Sequence, residues 1–151
     1  MMITVYGRNT SVNVQTVMWC IAELGLDHER LDYGAAFGKT DTAEYRALNP
    51  NGLVPTIKDG GTVVWESPAI LRYLACKYGD EHFWPRDPGE RAQLDMWAEW
   101  MKSTIYPDFT MTVFIQLVRT AKSARNVAVV AAAEARLKQS WTLLDARIGK
   151  G

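Results

Sequence analysis

Apolar positions in the first half of the chain follow strand, helix and strand patterns in turn. The β-branched and aromatic run at residues 3–6 predicts a strand. Apolar residues then recur every three or four positions from Val14 to Leu24, which predicts a helix closed by Gly25. Residues 29–33 predict a second strand, and such a β-α-β unit favours a parallel pair with a right-handed crossover.

A proline interrupts the next strand pattern. Residues 34–51 mix glycine, alanine and polar residues, which predicts a loop-rich connector with one possible short helix. Residues 53–58 and 62–65 are β-branched runs separated by Asp-Gly-Gly, a pattern typical of an antiparallel hairpin. Because Pro55 cannot donate a ladder hydrogen bond, it requires an edge position or a special peptide geometry such as a cis bond.

A helix and a linker follow the hairpin. Ser67 and Pro68 predict the helix start, with Ser67 as the N-cap. The order β-α-β-α-β-β-α over residues 1–79 indicates an α/β domain with a mixed sheet. Proline, glycine and charged residues at 80–89 are typical of a linker.

Residues 90–151 have helical periodicity only and are interpreted as part of an all-α domain with two long helices. The first helix is predicted from Glu90 to about Arg119, with a kink or break at Pro107. The apolar stripe predicted for the second helix comprises Val127, Val130, Leu137, Trp141, Leu144 and Ile148, interrupted by Glu134.

Charge and composition narrow the function classes. The 151 residues include 17 basic and 17 acidic side chains, so we expect no nucleic-acid or membrane partner. No apolar run reaches the roughly 18 residues of a membrane span, and no signal-peptide pattern begins the chain, which favours the cytoplasm. Cys20 and Cys76 lie far apart without a C-x-x-C motif, so both are expected as buried thiols and no metal site is expected.

Thr10, Ser11 and Asn13 flank the start of the first predicted helix. A hydroxyl at a helix N-terminus, beside free N–H groups and the positive end of the helix dipole, can stabilise a thiolate. Helix capping explains the same residue types and is the simpler interpretation when the segment is taken alone.

Two further segments have groups suited to a small peptide. The backbone N–H and C=O of Val54, beside Pro55, could pair with an extended ligand, although an edge-strand proline explains the same sequence. Glu66 and Ser67 could bind an ammonium and a carboxylate at the next helix start, where capping is again the alternative.

Taken together, these segments resemble glutathione S-transferases, particularly bacterial theta-like members. The resemblance is carried by Ser11-x-Asn13, by Asn-Pro-Asn-Gly-Leu-Val-Pro at 49–55 and by Glu-Ser-Pro-Ala-Ile at 66–70, and it spans residues 3–79. It implies a thioredoxin-like first domain, reduced glutathione as co-substrate, a small electrophile as the second substrate, and a cytosolic homodimer.

The resemblance also implies a role for each candidate residue. Ser11 resembles the hydroxyl that activates the glutathione sulfur, with Thr10 and Asn13 as alternatives. Val54 resembles the residue that pairs with the cysteinyl backbone, and Pro55 resembles the cis proline. The candidates for the γ-glutamyl end are Glu66 and Ser67, and weaker candidates near the glycyl end are Lys39 and Asn51.

Two departures from the family pattern affect this interpretation. Thr16 stands where many relatives carry Lys or Arg, which removes a cation near the sulfur. The family's helical domain usually continues for several more helices, so the chain is expected to be truncated there. The alternative function is a non-enzymatic module of the same fold that serves dimerisation or docking.

Overall fold

The computed structural model of the protein describes residues 2–149, and its compact units divide between Asp87 and Pro88. The first unit contains a four-stranded sheet with helices, and the described part of the second unit is helical. This architecture confirms the predicted fold class, an α/β unit followed by an all-α unit. Pro88 and Gly89 already form the first turn of a helix, so the linker predicted at 80–89 is two residues too long.

The sheet consists of β1 (Ile3–Tyr6), β2 (His28–Leu31), β3 (Thr56–Asp59) and β4 (Thr62–Trp65), in the order β2-β1-β3-β4. β1 is parallel to β2, as predicted, and antiparallel to β3, which forms the predicted hairpin with β4. The pairing aligns Leu31, Tyr6, Thr56 and Trp65 in one row at the end of the sheet.

Three α-helices accompany the sheet: α1 (Val12–Glu23), α2 (Ala43–Leu48) and α3 (Ser67–Tyr78). Apolar residues of α1 and α3 form one core with the inward residues of β1 and β3. The fully buried side chains of this core include Val5, Val14, Val17, Ile21, Ile57, Ile70 and Leu74. Burying each aliphatic side chain contributes about 1.5–3 kcal/mol, so the periodic pattern that predicts the helices also supplies the force that packs them.

Two local predictions in this unit are wrong. β3 begins at Thr56 rather than at Leu53, because Pro55 has no N–H to donate to the ladder. The Val54–Pro55 peptide is cis. Ser67 is the first residue of α3 and not its N-cap, a position that Glu66 occupies with a φ of 70°.

The second unit begins with a helical path from Pro88 to Arg119 that is divided, as predicted, around Pro107. α4 (Pro88–Trp100) passes into π-helical turns at Met101–Ile105, then into the short α5 (Tyr106–Asp108) and further π-helical turns at Phe109–Arg119. Proline lacks an N–H and its ring collides with the carbonyl four residues earlier, a conflict that wider turns relieve.

The last helix, α6 (Val127–Ile148), buries only part of the predicted stripe, namely Val130 and Leu137. Its buried residues are Val130, Ala133, Leu137 and Ser140. Trp141, Val127 and Ile148, which the periodicity places in the stripe, are 41%, 76% and 66% exposed. Small side chains at 133 and 140 therefore form the packed face, a possibility that a search for large apolar residues overlooks.

The two cysteines differ in environment. Cys20 is buried in the core of the first unit, and burial raises the pKa of its thiol, which disfavours a reactive thiolate. Cys76 is exposed, contrary to expectation. No helix within residues 2–149 has the length and apolarity needed to cross a bilayer.

A buried carboxylate ties the hairpin to α3. Asp59 Oδ2 accepts hydrogen bonds from Lys77 Nζ at 2.6 Å, Tyr73 Oη at 2.8 Å and Tyr78 Oη at 2.8 Å, while the Asp59 side chain is 1% exposed. Burial opposes ionisation, but the hydrogen bonds from Lys77, Tyr78 and Tyr73 outweigh it and lower the pKa of Asp59. The cluster therefore holds an ionised carboxylate in a site that would otherwise neutralise it.

We expect Asp59→Asn to lower the free energy of unfolding at pH 7 by about 2 kcal/mol, because charge-assisted bonds are lost. A carboxyl group with a lowered folded-state pKa contributes stability above its unfolded pKa of about 3.9 and loses it as the pH falls through the folded value. The difference between the two proteins, measured by chemical denaturation, should thus be full at pH 6 and shrink below pH 4. The exposed Asp27→Asn variant is the control, and an equal loss there would contradict the assignment.

Candidate glutathione site

One end of the sheet gathers the segments that carry the candidate residues. In the row that crosses this end, Thr56 pairs with Tyr6 on one side and with Trp65 on the other, and Tyr6 also pairs with Leu31. The loop to α1 leaves β1 here, the cis peptide enters β3 here, and Glu66 leaves β4 here. Sheet register thus brings together segments that are far apart in sequence.

A cleft of about 340 Å³ lies among these segments of the first unit. It is lined by Arg8, Ser11, Asn13, Gly34, Ala35, Thr40, Gly52, Leu53 and Val54. Three of the predicted site residues are among them. A depression of about 440 Å³ on the second unit is lined by α6 alone, without a convergent set of polar groups, and we assign no function to it.

Ser11 is the N-cap of α1, yet its hydroxyl makes no capping hydrogen bond. The residue is 8% exposed and lines the cleft. Because a capping serine normally bonds an amide of the first helical turn, the hydroxyl of Ser11 is available to a ligand. Thr10 is exposed and outside the lining, whereas Asn13 is half-buried within it.

The loop before Ser11 is fixed by contacts between β1 and β2. The Gly7 N–H donates to the Leu31 carbonyl at 2.9 Å, and Arg30 Nη1 donates to the Gly7 carbonyl at 2.7 Å. A Cβ atom at Gly7 would lie 2.4 Å from Val14 Cγ2, so only glycine allows α1 to approach the end of β1 this closely. The position of Ser11 is therefore determined by sheet and helix packing.

A buried polar network holds the segment on the other side of the cleft. The Leu53 carbonyl accepts from Tyr45 Oη at 2.7 Å and from Asn49 Nδ2 at 2.9 Å. Thr56 Oγ1 lies 3.0 Å from Tyr45 Oη and 3.1 Å from Asn49 Nδ2. Burial raises the pKa of Tyr45, so the phenol remains protonated and able to donate. The network fixes both ends of the cis-proline segment.

Between these anchors, Val54 has an unused backbone. Neither its N–H nor its C=O has a hydrogen-bond partner within residues 2–149. An extended peptide can pair with such a residue as an added strand does. The free backbone of Val54 and the cis peptide at Pro55 agree with the sequence analysis, while the pairing of Val54 with a ligand stays a prediction.

Glu66 has the uncommon backbone angles φ 70° and ψ 116° and is exposed, while the adjacent Ser67 is 8% exposed. Glu66 makes no side-chain capping bond. Non-glycine residues in this region of φ and ψ are strained and cluster at ligand sites. Both residues leave β4 at the same sheet end as the cis peptide, because Thr56 pairs with Trp65.

The two weaker candidates do not line the cleft. Lys39 Nζ lies over the Tyr33 ring at 5.1 Å and 3.4 Å from the Asp32 carbonyl. The Asn51 side chain donates to Asn49 Oδ1 at 3.2 Å. Their roles at a glycyl end stay predictions. Within residues 2–149 no cluster of three or more metal-ligating side chains occurs.

Sequence reasoning missed Arg8 and Gly34. Gly34 has a φ of 81°, and a Cβ atom there would lie 3.2 Å from Arg8 Nη1. The run Arg-Asn-Thr-Ser looks like an ordinary polar loop, and nothing in the sequence shows that Arg8 meets a glycine 26 positions later. The only signal in the sequence is the glycine itself, and nothing distinguishes Gly34 from the other glycines of the chain.

The sheet, the helix order and the cis-proline cleft define a thioredoxin-like domain joined to a helical one. Residues 10–76 match the family model described as glutathione S-transferase, N-terminal domain. Glutathione S-transferase GstB of Escherichia coli K12 is 38% identical over 151 residues, which are 99% of this chain and 72% of that protein. Glutathione S-transferase 3 of Zea mays is 36% identical over 76% of this chain and 52% of its own length.

The structural comparison agrees. A theta class glutathione S-transferase from Xanthomonas axonopodis pv. citri, solved with glutathione bound, has a TM-score of 0.86 and 43% identity, covering 97% of this chain and 70% of that one. The chain belongs to the glutathione S-transferase family.

We expect Asn49→Ala to lower the free energy of unfolding by about 2 kcal/mol, because the buried Thr56 hydroxyl and Leu53 carbonyl each lose a donor. Amide hydrogen exchange at Asn51 should accelerate in the same variant, because its N–H donates to Asn49 Oδ1 at 3.1 Å. Asn51→Ala removes an exposed amide from the same loop and should cost less than about 0.5 kcal/mol. Equal effects of the two substitutions would contradict the anchoring role of Asn49.

Proposed function

We propose that this chain is a glutathione transferase, which binds reduced glutathione in the cleft, stabilises its thiolate and conjugates it to a small electrophile. One observation carries the proposal: the Ser11 hydroxyl, unused by the helix that it caps, lines the same cleft as the unpaired Val54 backbone. A hydroxyl donor and an added-strand position are what a cysteinyl thiol in an extended tripeptide requires.

Thiolate formation is the chemical difficulty that the site addresses. A free thiol with a pKa of about 8.5 is only a few per cent ionised at pH 7, and each unit of lowering corresponds to about 1.4 kcal/mol. The Ser11 hydroxyl donates to the sulfur, and the N-terminal end of α1 adds a favourable dipole. The thiolate then attacks an electrophilic carbon and forms a carbon–sulfur bond, while the leaving group or the accepting π bond takes the electron pair.

Residues at the neighbouring strand ends bind the rest of the tripeptide. The Val54 N–H and C=O pair with the cysteinyl backbone, which orients the sulfur toward Ser11. Glu66 binds the γ-glutamyl ammonium, and the Ser67 hydroxyl with the first amides of α3 binds the accompanying carboxylate. Two adjacent residues at the start of α3 thus bind both charged groups of the zwitterionic γ-glutamyl end.

The similarity to a structure that contains glutathione supports this assignment, since that protein is 43% identical over 97% of this chain. We further propose a homodimer and a cytoplasmic location, as is usual in this family. The competing proposal, a non-enzymatic docking module, differs in that it requires no turnover.

We expect Ser11→Ala to reduce turnover of a chlorinated nitroaromatic electrophile by about 10²-fold, the usual effect of removing one transition-state donor. Glutathione affinity, measured by isothermal titration, should change little, because the hydroxyl contacts only the sulfur. Thr10→Ala is the matched control, since its exposed hydroxyl lies outside the cleft lining. Unchanged turnover in Ser11→Ala would move the activating role to Asn13 or Thr10, and no turnover in the unmodified chain would favour the docking module.

Glu66 offers a test in which stability and binding move in opposite directions. Glu66→Gly should raise the free energy of unfolding by about 1 kcal/mol, because glycine relieves the strain at a φ of 70°. The same variant should bind glutathione more weakly, since the partner of the ammonium is lost. Glu66→Gln keeps the strain and should weaken binding without a gain in stability. Undiminished binding by both variants would exclude Glu66 from the site.

A further inference from the structure

Arg8 is the charged side chain of the cleft. Each of the other lining residues is uncharged. Its guanidinium has no hydrogen-bond or ion-pair partner within residues 2–149. By contrast, the half-buried Arg30 donates to the Gly7 carbonyl and to the Asp32 carboxylate. A half-buried arginine without a partner is a group that an anion would complete.

Two hydrogen bonds fix the backbone of Arg8, and its guanidinium lies beside a glycine. The Arg8 N–H donates to the Tyr33 carbonyl at 3.1 Å, and the Arg8 carbonyl accepts from the Ser11 N–H at 3.3 Å. Arg8 and Ser11 therefore belong to one turn. A Cβ atom at Gly34 would lie 3.2 Å from Arg8 Nη1 and 3.4 Å from Val54 Cγ1, so the guanidinium and the Val54 side chain both lie beside the bare backbone of Gly34.

We propose that Arg8 is a further catalytic residue, whose guanidinium stabilises the thiolate of bound glutathione together with the Ser11 hydroxyl. The inference rests on the proposed function, in which the Val54 backbone holds the cysteinyl unit and Glu66 and Ser67 hold the γ-glutamyl end. The sulfur is then the anionic atom between Val54 and Ser11, and both residues line the cleft with Arg8. Because α1 contains no lysine or arginine, Arg8 is also the cation closest in sequence to Ser11.

We expect removal of the Arg8 charge to raise the pKa of the thiol of bound glutathione. An opposite charge a few ångströms away lowers the pKa of an acid by about one unit or more, and added salt weakens the effect where solvent reaches the pair. In Arg8→Gln the thiolate absorbance of bound glutathione should therefore appear about one pH unit higher than in the unmodified chain. Arg8→Lys retains the charge and should restore most of the shift.

The experiment uses the full chain and two ligands. Ultraviolet difference titration gives the thiol pKa of bound glutathione, and calorimetry gives the affinities of glutathione and of S-methylglutathione, which has no ionisable thiol. Arg147→Gln, an equal change of charge at an exposed site in α6, should leave all values unchanged. Higher ionic strength should raise the pKa of the bound thiol in the unmodified chain more than in Arg8→Gln. If Arg8→Gln fails to fold, the salt dependence of the thiol pKa in the unmodified chain still tests the proposal.

Two results would overturn the role of Arg8. An unchanged thiol pKa and affinity in Arg8→Gln would show that the guanidinium contacts no ligand group. Equal weakening of both ligands with an unchanged thiol pKa would show that Arg8 binds a carboxylate instead. Failure of the unmodified chain to bind either ligand would refute the proposed function itself. The first two results differ from this one because in both of them the unmodified chain binds glutathione.

Discussion

Thr56 is the residue on which the geometry of the candidate site depends. Its backbone pairs with both Tyr6 and Trp65, so it fixes the ends of three strands relative to one another. Its buried hydroxyl contacts Tyr45 and Asn49, which also hold the Leu53 carbonyl. One side chain thus joins the regular sheet to the irregular cis-proline segment, where an unpaired buried hydroxyl would otherwise be costly.

The chemistry follows from which polar groups the fold leaves unused. The Leu53 carbonyl at the cleft and the nearby Arg30 guanidinium both have hydrogen-bond partners. The Ser11 hydroxyl, the Val54 backbone and the Arg8 guanidinium have no partners in the described part of the chain. Donors that are held rigidly before the ligand arrives stabilise developing charge without reorganisation, which is the main electrostatic advantage of a protein site.

Sequence patterns predicted the strands, the hairpin and the helices of the first unit. Burial of apolar residues explains β1, β3, α1 and α3, which share one core. The more exposed β2 and β4 were predicted from the residue types of their runs and from the turn between β3 and β4. The family resemblance named Ser11 and Val54, which line one cleft, and their roles stay predictions. The resemblance could not show the strained backbone of Glu66, which takes the N-cap position predicted for Ser67. Arg8 was missed because its environment is created by tertiary contact with Gly34.

We propose that the first unit alone supplies the glutathione site around Ser11 and Val54. The most direct test is titration of the isotopically labelled chain with reduced glutathione, followed by amide resonances. We expect saturable shifts at Ser11, Val54 and Ser67, with the largest change at the Val54 amide as it gains a hydrogen bond. Shifts confined to residues beyond Asp87, or none at millimolar glutathione, would contradict this assignment of the site.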